Sequence, residues 1–169
     1  MEHQLGVSYQ KMQRKDRKFE EILIVSNDRD CYQLINDKTK VLKTNSEIVD
    51  DVYVQNKYGV SAKQYKIFAA LRGEPGDNIT GVKGVGEVKA SKLINVIDDF
   101  EDLKRNQELI TQTLGAKLAN SIIGEQELLT LNLKLVELIR DLPVAPYIGR
   151  SEIKFDLDTV EKILSKYNL

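Results

Sequence analysis

The feature that most constrains the fold of this chain is a short apolar run at residues 22–26. The run reads Ile-Leu-Ile-Val-Ser and lacks the alternation of polar and apolar residues that marks a strand with one solvent-facing side. It therefore predicts a strand that is buried on both faces, as in a parallel sheet. A helical stretch at residues 29–34, a turn at residues 36–38 and a second strand at residues 40–44 follow it. This order predicts the α/β fold class, with a fragment of a parallel sheet.

From Asp50 onward the spacing of apolar residues is helical. Apolar side chains recur at steps of three and four residues, which places them on one face of a helix. They are Val52, Tyr53, Tyr58, Tyr65, Phe68, Ala69 and Leu71. We expect these helices to stop at Gly73, because residues 73–78 are rich in residue types that favour turns. Further helices are predicted at residues 108–114, 117–123, 125–140 and 157–167.

The counts of cysteine and histidine restrict the chemistry that is open to the chain. One cysteine, Cys31, and one histidine, His3, exclude an internal disulfide and argue against a Cys/His zinc site or a Cys-His catalytic pair. Any metal ion must then be held by oxygen atoms. We expect Cys31 to be a small core residue.

Charge and hydropathy argue against further classes of protein. The net charge of -1 does not fit a protein that binds DNA chiefly through a basic excess. No stretch approaches the roughly 18 consecutive apolar residues that a membrane helix needs. The first 20 residues also lack the apolar core of a secretory signal. We therefore expect a cytoplasmic protein without membrane contact.

Residues 79–97 carry a pattern typical of two short helices joined by a tight hairpin. Apolar residues would pack the two helices together, and Ala90 is small where they cross. Gly84 and Gly86 would let the hairpin turn sharply and expose its backbone N–H groups. Because the second helix begins near Gly86, the positive end of its dipole adds to those amides, so the hairpin could bind a phosphate without a basic patch. The alternative is a structural turn that does not touch DNA.

Four carboxylates lie close to the first strand and the hairpin in the sequence. Asp28 and Asp30 follow the strand, and side chains two residues apart at the end of a parallel strand can face the same side. Glu74 and Asp77 precede the hairpin and could converge on the same cation. Carboxylate oxygens suit Mg²⁺ or Mn²⁺, and such metals assist phosphodiester hydrolysis. Taken one at a time, Asp28 could instead be a helix cap, Asp30 a surface residue and Asp77 a turn former.

The strings at residues 24–34, 73–79 and 81–86 closely resemble the 5′-to-3′ exonuclease and flap endonuclease family. That family includes the nuclease domain of bacterial DNA polymerase I and stand-alone phage enzymes. The resemblance runs from about residue 22 to residue 169. It implies a structure-specific nuclease that hydrolyses DNA, or RNA paired with DNA, in replication or repair.

The resemblance also implies roles for single residues. Asp28, Asp30 and Asp77 would be catalytic and, together with Glu74, would contribute to a site for two divalent metal ions, Mg²⁺ or Mn²⁺. Glu74 stands where the family usually has an aspartate, so its carboxylate is one methylene further from the backbone. The hairpin would hold the backbone of a DNA duplex that has a 5′ flap or a 5′ end, and in some members it binds K⁺. The residues predicted to bind DNA are Gly81, Lys83, Gly84, Val85, Gly86, Lys89 and Lys92.

The part of the family that precedes the first strand has no counterpart in this sequence. In the family that part holds further metal-binding carboxylates and a basic helical arch. We predict a polar lead-in at residues 1–21, the C-terminal part of an α/β nuclease domain at 22–72, and a helical region at 73–169 with the helix-hairpin-helix at 79–97. Because an unpaired strand edge invites pairing, we expect a separate N-terminal nuclease half or self-association.

Two alternatives to a portion of a nuclease stay open. The first is a non-catalytic DNA-binding remnant that uses the hairpin alone. The second is a helical protein-interaction module, which would leave the carboxylates and the hairpin glycines without a role.

Overall fold

The chain is described here by a computed structural model over residues 21–97 and 99–140. Within that part a small sheet comes first and helices follow. Residues 1–20 of the predicted lead-in (1–21) and the predicted helix at residues 157–167 lie outside the described residues.

A three-stranded sheet forms the N-terminal side of the fold. Strands β1 (Ile22–Val25) and β2 (Thr39–Leu42) pair in parallel, and the short strand β3 (Ile48–Val49) pairs antiparallel with β2. The strand order is β1-β2-β3, so one edge of β1 has no partner among the described residues. The α/β class and the parallel pairing are therefore confirmed.

The prediction that the first strand is buried on both faces is wrong for the described part of the chain. Ile24 is buried, but its neighbours Leu23 and Val25 are 47% and 64% exposed. Successive side chains of a strand point to opposite faces of the sheet. Ile24 packs with Val41 and Val49 in the core, whereas no described element covers the face with Leu23 and Val25.

Helices make up most of the remaining described chain. The α-helices are α1 (Asp51–Tyr58), α2 (Tyr65–Arg72), α3 (Glu87–Ile94), α4 (Phe100–Arg105), α5 (Gln107–Leu114), α6 (Ala116–Gly124) and α7 (Gln126–Val136). Short 3₁₀ helices cover Arg29–Leu34, Ala62–Gln64 and Pro75–Asp77. The helices predicted at residues 29–34, 108–114 and 117–123 are present, the first of them as a 3₁₀ helix.

Tyr58, Tyr65 and Phe68, predicted for the helix core, form a compact cluster with Tyr32. Of the other predicted residues, Tyr53 is partly buried against the core, whereas Val52 is 63% exposed, so its placement on the apolar face is wrong. Tyr32, Tyr58, Tyr65 and Phe68 are buried, and the ring of Tyr65 lies 5.2 Å from that of Tyr32 and 5.3 Å from that of Tyr58, edge to face. This geometry is favourable for aromatic pairs. Cys31, next to the cluster in sequence, is also buried, as predicted for a small core residue.

The prediction of two short helices within residues 79–97 is wrong for the first of them, because residues 79–80 form a strand. Gly73–Glu74 (β4) pairs antiparallel with Ile79–Thr80 (β5). A β-carbon placed on Gly81 would lie 2.1 Å from the carbonyl oxygen of Arg72. The main chain at Gly81 therefore lies in contact with the main chain at the end of α2. The helix that precedes the hairpin is α2.

Helix α4 was not predicted, because its few apolar residues are surrounded by charged ones. Asp99 caps this helix by accepting a hydrogen bond from the Asp102 N–H at 2.8 Å. Charged side chains in the first turn and an aspartate cap suffice to start a short helix, which then packs through Leu103.

Helix α7 ends at Val136, earlier than the predicted residue 140, and a buried glutamine binds the main chain at this end. The Gln33 side chain donates to the Val136 carbonyl at 2.9 Å and accepts from the Leu138 N–H at 3.1 Å. Arg140 in turn donates to the Gln33 carbonyl at 3.0 Å. The sheet side of the fold is thus tied to the end of the last described helix.

None of the helices in the described ranges is long and apolar enough to cross a membrane.

We expect Gln33→Leu to destabilise the fold strongly. The substitution keeps the side-chain volume but leaves the Val136 carbonyl and the Leu138 N–H without a partner, at a cost of about 1–3 kcal/mol for each unpaired group. Urea denaturation measures the loss. The exposed Gln55 on α1 offers a matched control, and equal stabilities of Gln33→Leu and Gln55→Leu would contradict the assignment.

Candidate nucleic-acid interface and carboxylate site

The loop at residues 81–86 joins β5 to helix α3 and is fixed to the core by two valines. Val82 and Val85 are 3% and 2% exposed. The Val82 N–H donates to the Leu71 carbonyl at 2.9 Å, and the Val85 N–H donates to the Val82 carbonyl at 3.0 Å. Ala90 is fully buried, as expected where α3 packs against its neighbour. The two valines therefore anchor the loop to the core, and the loop leads directly into α3.

The two hairpin glycines have different roles. Gly84 has a φ of +81°, a left-handed conformation that favours glycine. Gly86 has a φ of -89° and open space around its α-carbon, so the expectation that it is needed for a sharp turn is wrong. Gly86 is instead the N-cap of α3, and no side chain of the described residues caps the first turn of that helix.

The uncapped first turn of α3 is the part of the hairpin best suited to an anion. Helix N-termini carry free N–H groups and a positive dipole end. Two other amides predicted to face an anion are already engaged, because Val85 bonds within the loop and the Lys83 N–H lies 3.3 Å from a carboxylate oxygen of Glu125. The side chain of Val85 belongs to the core. The start of α3 therefore offers the available donors.

Three lysines predicted to bind DNA lie on the exposed surface of this region. They are Lys83, Lys89 and Lys92. Lys89 also donates to the Gly84 carbonyl at 2.9 Å, which ties the hairpin turn to the helix. Gly81 is another predicted DNA contact. The need for glycine at this position follows from its close approach to the Arg72 main chain.

Asp28 has the capping role that was the alternative to a metal ligand. Its side chain accepts from the Asp30 N–H at 2.8 Å, at the start of the 3₁₀ helix Arg29–Leu34. Its own N–H donates to the Ser26 hydroxyl at 3.0 Å. Asp77 is exposed in the turn Pro75–Asp77. One carboxylate oxygen of Asp28 is thereby committed to the backbone.

No group of three or more Asp, Glu, Cys or His side chains within residues 21–97 and 99–140 could hold a metal ion. The four predicted carboxylates, Asp28, Asp30, Glu74 and Asp77, are thus not assembled into a metal centre by the described residues alone. Their role as ligands stays a prediction.

Glu74 occupies a different environment from the three aspartates. It is 2% exposed and forms ion pairs with Arg29 and Arg72. Burial lowers the pKa of Arg29, but the charge of Glu74 and contacts with Tyr65 and Tyr58 more than offset this, so the pKa is raised and Arg29 stays a cation. The pKa of Tyr65 is raised by burial, so its phenol stays neutral.

Sequence reasoning missed three residues that shape this region: Arg29, Arg72 and Glu125. The signal for the first two was a basic residue placed beside each acidic motif, Arg29 between two aspartates and Arg72 two positions before Glu74. Glu125 lies far from the hairpin in sequence, and no local pattern pointed to it.

A model of the family described as 5′-3′ exonuclease, C-terminal SAM fold, matches residues 60–156. The thermostable DNA polymerase I of Thermus thermophilus is 33% identical over 137 residues, and the match covers 81% of this chain and 16% of the polymerase. DNA polymerase I of Mycobacterium tuberculosis is 36% identical over 129 residues, with 73% and 14% covered.

Two solved structures show the same fold. A bacteriophage T5 protein co-crystallised with metal ions superposes with a TM-score of 0.68 at 22% identity, over 81% of this chain and 50% of that one. A bacteriophage T5 flap endonuclease in a pseudo-enzyme–product complex with DNA and metal ions gives 0.68 at 21% identity, over 81% and 49%. This chain therefore spans about half of the phage proteins and a much smaller share of the polymerases.

We expect Gly84→Ala and Gly86→Ala to differ in stability. Alanine at position 84 would be strained by the positive φ and would meet Leu118 at 3.2 Å, so the loss should be about 1–3 kcal/mol. Alanine at position 86 meets no strain, and its lower chain entropy in the unfolded state opposes the poorer N-cap preference of alanine, so the change should stay within about 1 kcal/mol. Chemical denaturation of the two variants tests this, and the reverse order would refute the hairpin geometry.

Proposed function

Because this chain belongs to the 5′-3′ exonuclease family, we propose that it is the C-terminal portion of a metal-dependent, structure-specific 5′-to-3′ exonuclease or flap endonuclease. The substrate would be DNA, or RNA paired with DNA, in replication or repair, inside the cytoplasm. The observation that carries the proposal is the hairpin at residues 81–86, which is anchored to the core and leads into the first turn of α3.

The hairpin would bind a phosphate of a DNA duplex that carries a 5′ end or a 5′ flap. The N–H groups at the start of α3 and the helix dipole supply attraction that does not need a net positive chain. The exposed Lys83, Lys89 and Lys92 add positive charge in the hairpin and helix α3. A K⁺ ion at the loop would add a further contact to the phosphate. A relative of the same fold is described in complex with DNA, which supports this assignment.

The metal ions of the nuclease would be Mg²⁺ or Mn²⁺, with Asp28, Asp30 and Asp77 contributing carboxylate oxygens. Phage proteins of the same fold are described with metal ions, which supports a metal requirement. The described carboxylates do not fit a metal by themselves. Further ligands would come from an N-terminal half, supplied either as preceding residues of the same polypeptide or as a separate one.

The uncovered face of the sheet is a suitable docking surface for that half. Leu23, Val25 and Ile48 are all about half exposed or more, and the strand register puts them on one face, with Val25 beside Leu42 and Leu42 beside Ile48. An apolar face next to an open strand edge favours association. We propose that the N-terminal half continues the sheet beyond β1 and covers this face.

A non-catalytic DNA-binding protein is the second candidate function. It is favoured by the same two observations that complicate the metal site, the dispersed carboxylates and the commitment of Asp28 to capping. In that case the hairpin would act alone.

Cleavage of a 5′-labelled flap duplex in Mg²⁺ or Mn²⁺ tests the nuclease proposal. We expect the 169-residue chain to cut when it is mixed with the N-terminal half of a matching nuclease, and Asp77→Asn to abolish cutting. Absence of cutting with every matching half, while the duplex is still bound, would instead favour the DNA-binding protein.

The salt dependence of duplex binding tests the hairpin. If Lys92 neutralises one phosphate, Lys92→Gln should weaken binding and reduce the slope of log affinity against log salt by about 0.9. Lys38→Gln, an exposed lysine in the turn between β1 and β2, is the matched control. Fluorescence anisotropy at several salt concentrations gives both slopes, and equal slopes for the two variants would count against Lys92 as a contact.

A further inference from the structure

We propose that Glu74 is a positioning residue held between two arginines, and that it is not a metal ligand. The Arg29–Glu74–Arg72 triad would fix the loop with Asp28 and Asp30 relative to the turn with Asp77. This inference rests on the proposed nuclease function for its meaning, but the triad itself is a feature of the described structure.

Both oxygens of the Glu74 carboxylate are in contact with a guanidinium group. Oε2 lies 2.8 Å from Nη2 of Arg29, and Oε1 pairs with Nη2 of Arg72. The Glu74 side chain is only 3% exposed. Oε2 has no hydrogen bond of acceptable geometry among the described residues, so its contact with Arg29 is ionic only. A metal ion bound at either oxygen would have to displace a guanidinium group and leave that charge uncompensated beside the carboxylate.

Arg72 is held in place by more than its charge. Its guanidinium lies 4.9 Å from the ring centre of Phe68, and its Nε donates to the Gly73 carbonyl at 3.1 Å. Its Nη1 lies 3.5 Å from a carboxylate oxygen of Glu87, in the first turn of α3. Arg72 therefore links the buried carboxylate to the start of the helix that we assign to DNA.

Arg29 connects the same carboxylate to the other acidic motif. It follows Asp28 directly and begins the 3₁₀ helix that Asp28 caps. Through Glu74, the Asp28 loop, the β4 strand before Asp77 and the first turn of α3 are thus joined by one set of ionic contacts.

The identity of residue 74 matters for this geometry. The resemblance implies an aspartate at this position, and the glutamate places its carboxylate one methylene further from the β4 backbone. The longer side chain reaches two arginines at once. Arg29 and Arg72 are the residues that make the glutamate a structural bridge.

Hydrogen–deuterium exchange of the full chain in EDTA tests the proposal without metal or catalysis. A positioning role predicts that Glu74→Gln and Arg29→Gln each raise the exchange of residues 26–34 and of residues 73–80, by roughly tenfold or more. Unchanged protection of α5 and α6 would show that the fold is intact. Arg29 is 42% exposed, so its variant should fold even if Glu74→Gln does not.

A metal-ligand role predicts a different result in EDTA. With no metal present, removing a ligand carboxylate should leave exchange unchanged or lower it. If a variant that folds shows no rise in exchange in one or both of the two segments, the proposal is overturned.

The assembled nuclease gives an independent readout. For a positioning residue, Glu74→Gln should lower kcat by about tenfold or more, because misplaced reacting groups are costly. The Mg²⁺ concentration for half-maximal rate should change less than about twofold, since a residue that positions without ligating does not contribute to metal affinity. A large rise in that concentration would identify Glu74 as a ligand. If exchange behaves as expected but no matching half restores cutting, the nuclease proposal fails and the bridge remains.

Discussion

The position of the hairpin depends on a contact between two stretches of main chain that leaves no space for a β-carbon at Gly81. The loop backbone there lies against the last residue of α2, and the next residue, Val82, donates a hydrogen bond to Leu71. Asn132 on α7 reinforces this contact, because its amide donates to the carbonyls of Ala70 and Thr80 at 3.0 and 2.8 Å. The start of α3 is therefore oriented by the core rather than by surface contacts.

This arrangement explains how a chain with a net charge of -1 can belong to a family of nucleases that act on a polyanion. In the proposed interface, attraction for a phosphate would arise from the orientation of backbone dipoles at one helix end. Such attraction is local, so the remaining surface is free to be acidic. Glu125 and Glu87 lie close to the hairpin, one accepting from the Lys83 N–H and the other pairing with Arg72, which limits the positive field to a small area.

Local sequence patterns predicted the elements whose stability is local. The parallel strand pair, the helix ends at Gly73 and the buried tyrosines follow from side-chain periodicity and turn residues, which act over a few positions. Patterns could not predict which face of β1 is covered, because that depends on elements distant in sequence. The same limit applies to Glu74, since its sequence position fits a ligand while its partner Arg29 lies in another segment. The division of the chain at residues 72 and 73 stays a prediction, although the buried apolar residues of both parts form one cluster.

The hydrogen bonds of Gln33 have a consequence for how the chain acquires its structure during synthesis. Gln33 and Val136 are separated by 103 positions, so the sheet side of the fold leaves the ribosome long before its partner exists. At translation rates of about 5–20 residues per second, that delay is roughly 5–20 seconds. Throughout this interval the apolar strands and the polar groups around Gln33 lack their final contacts.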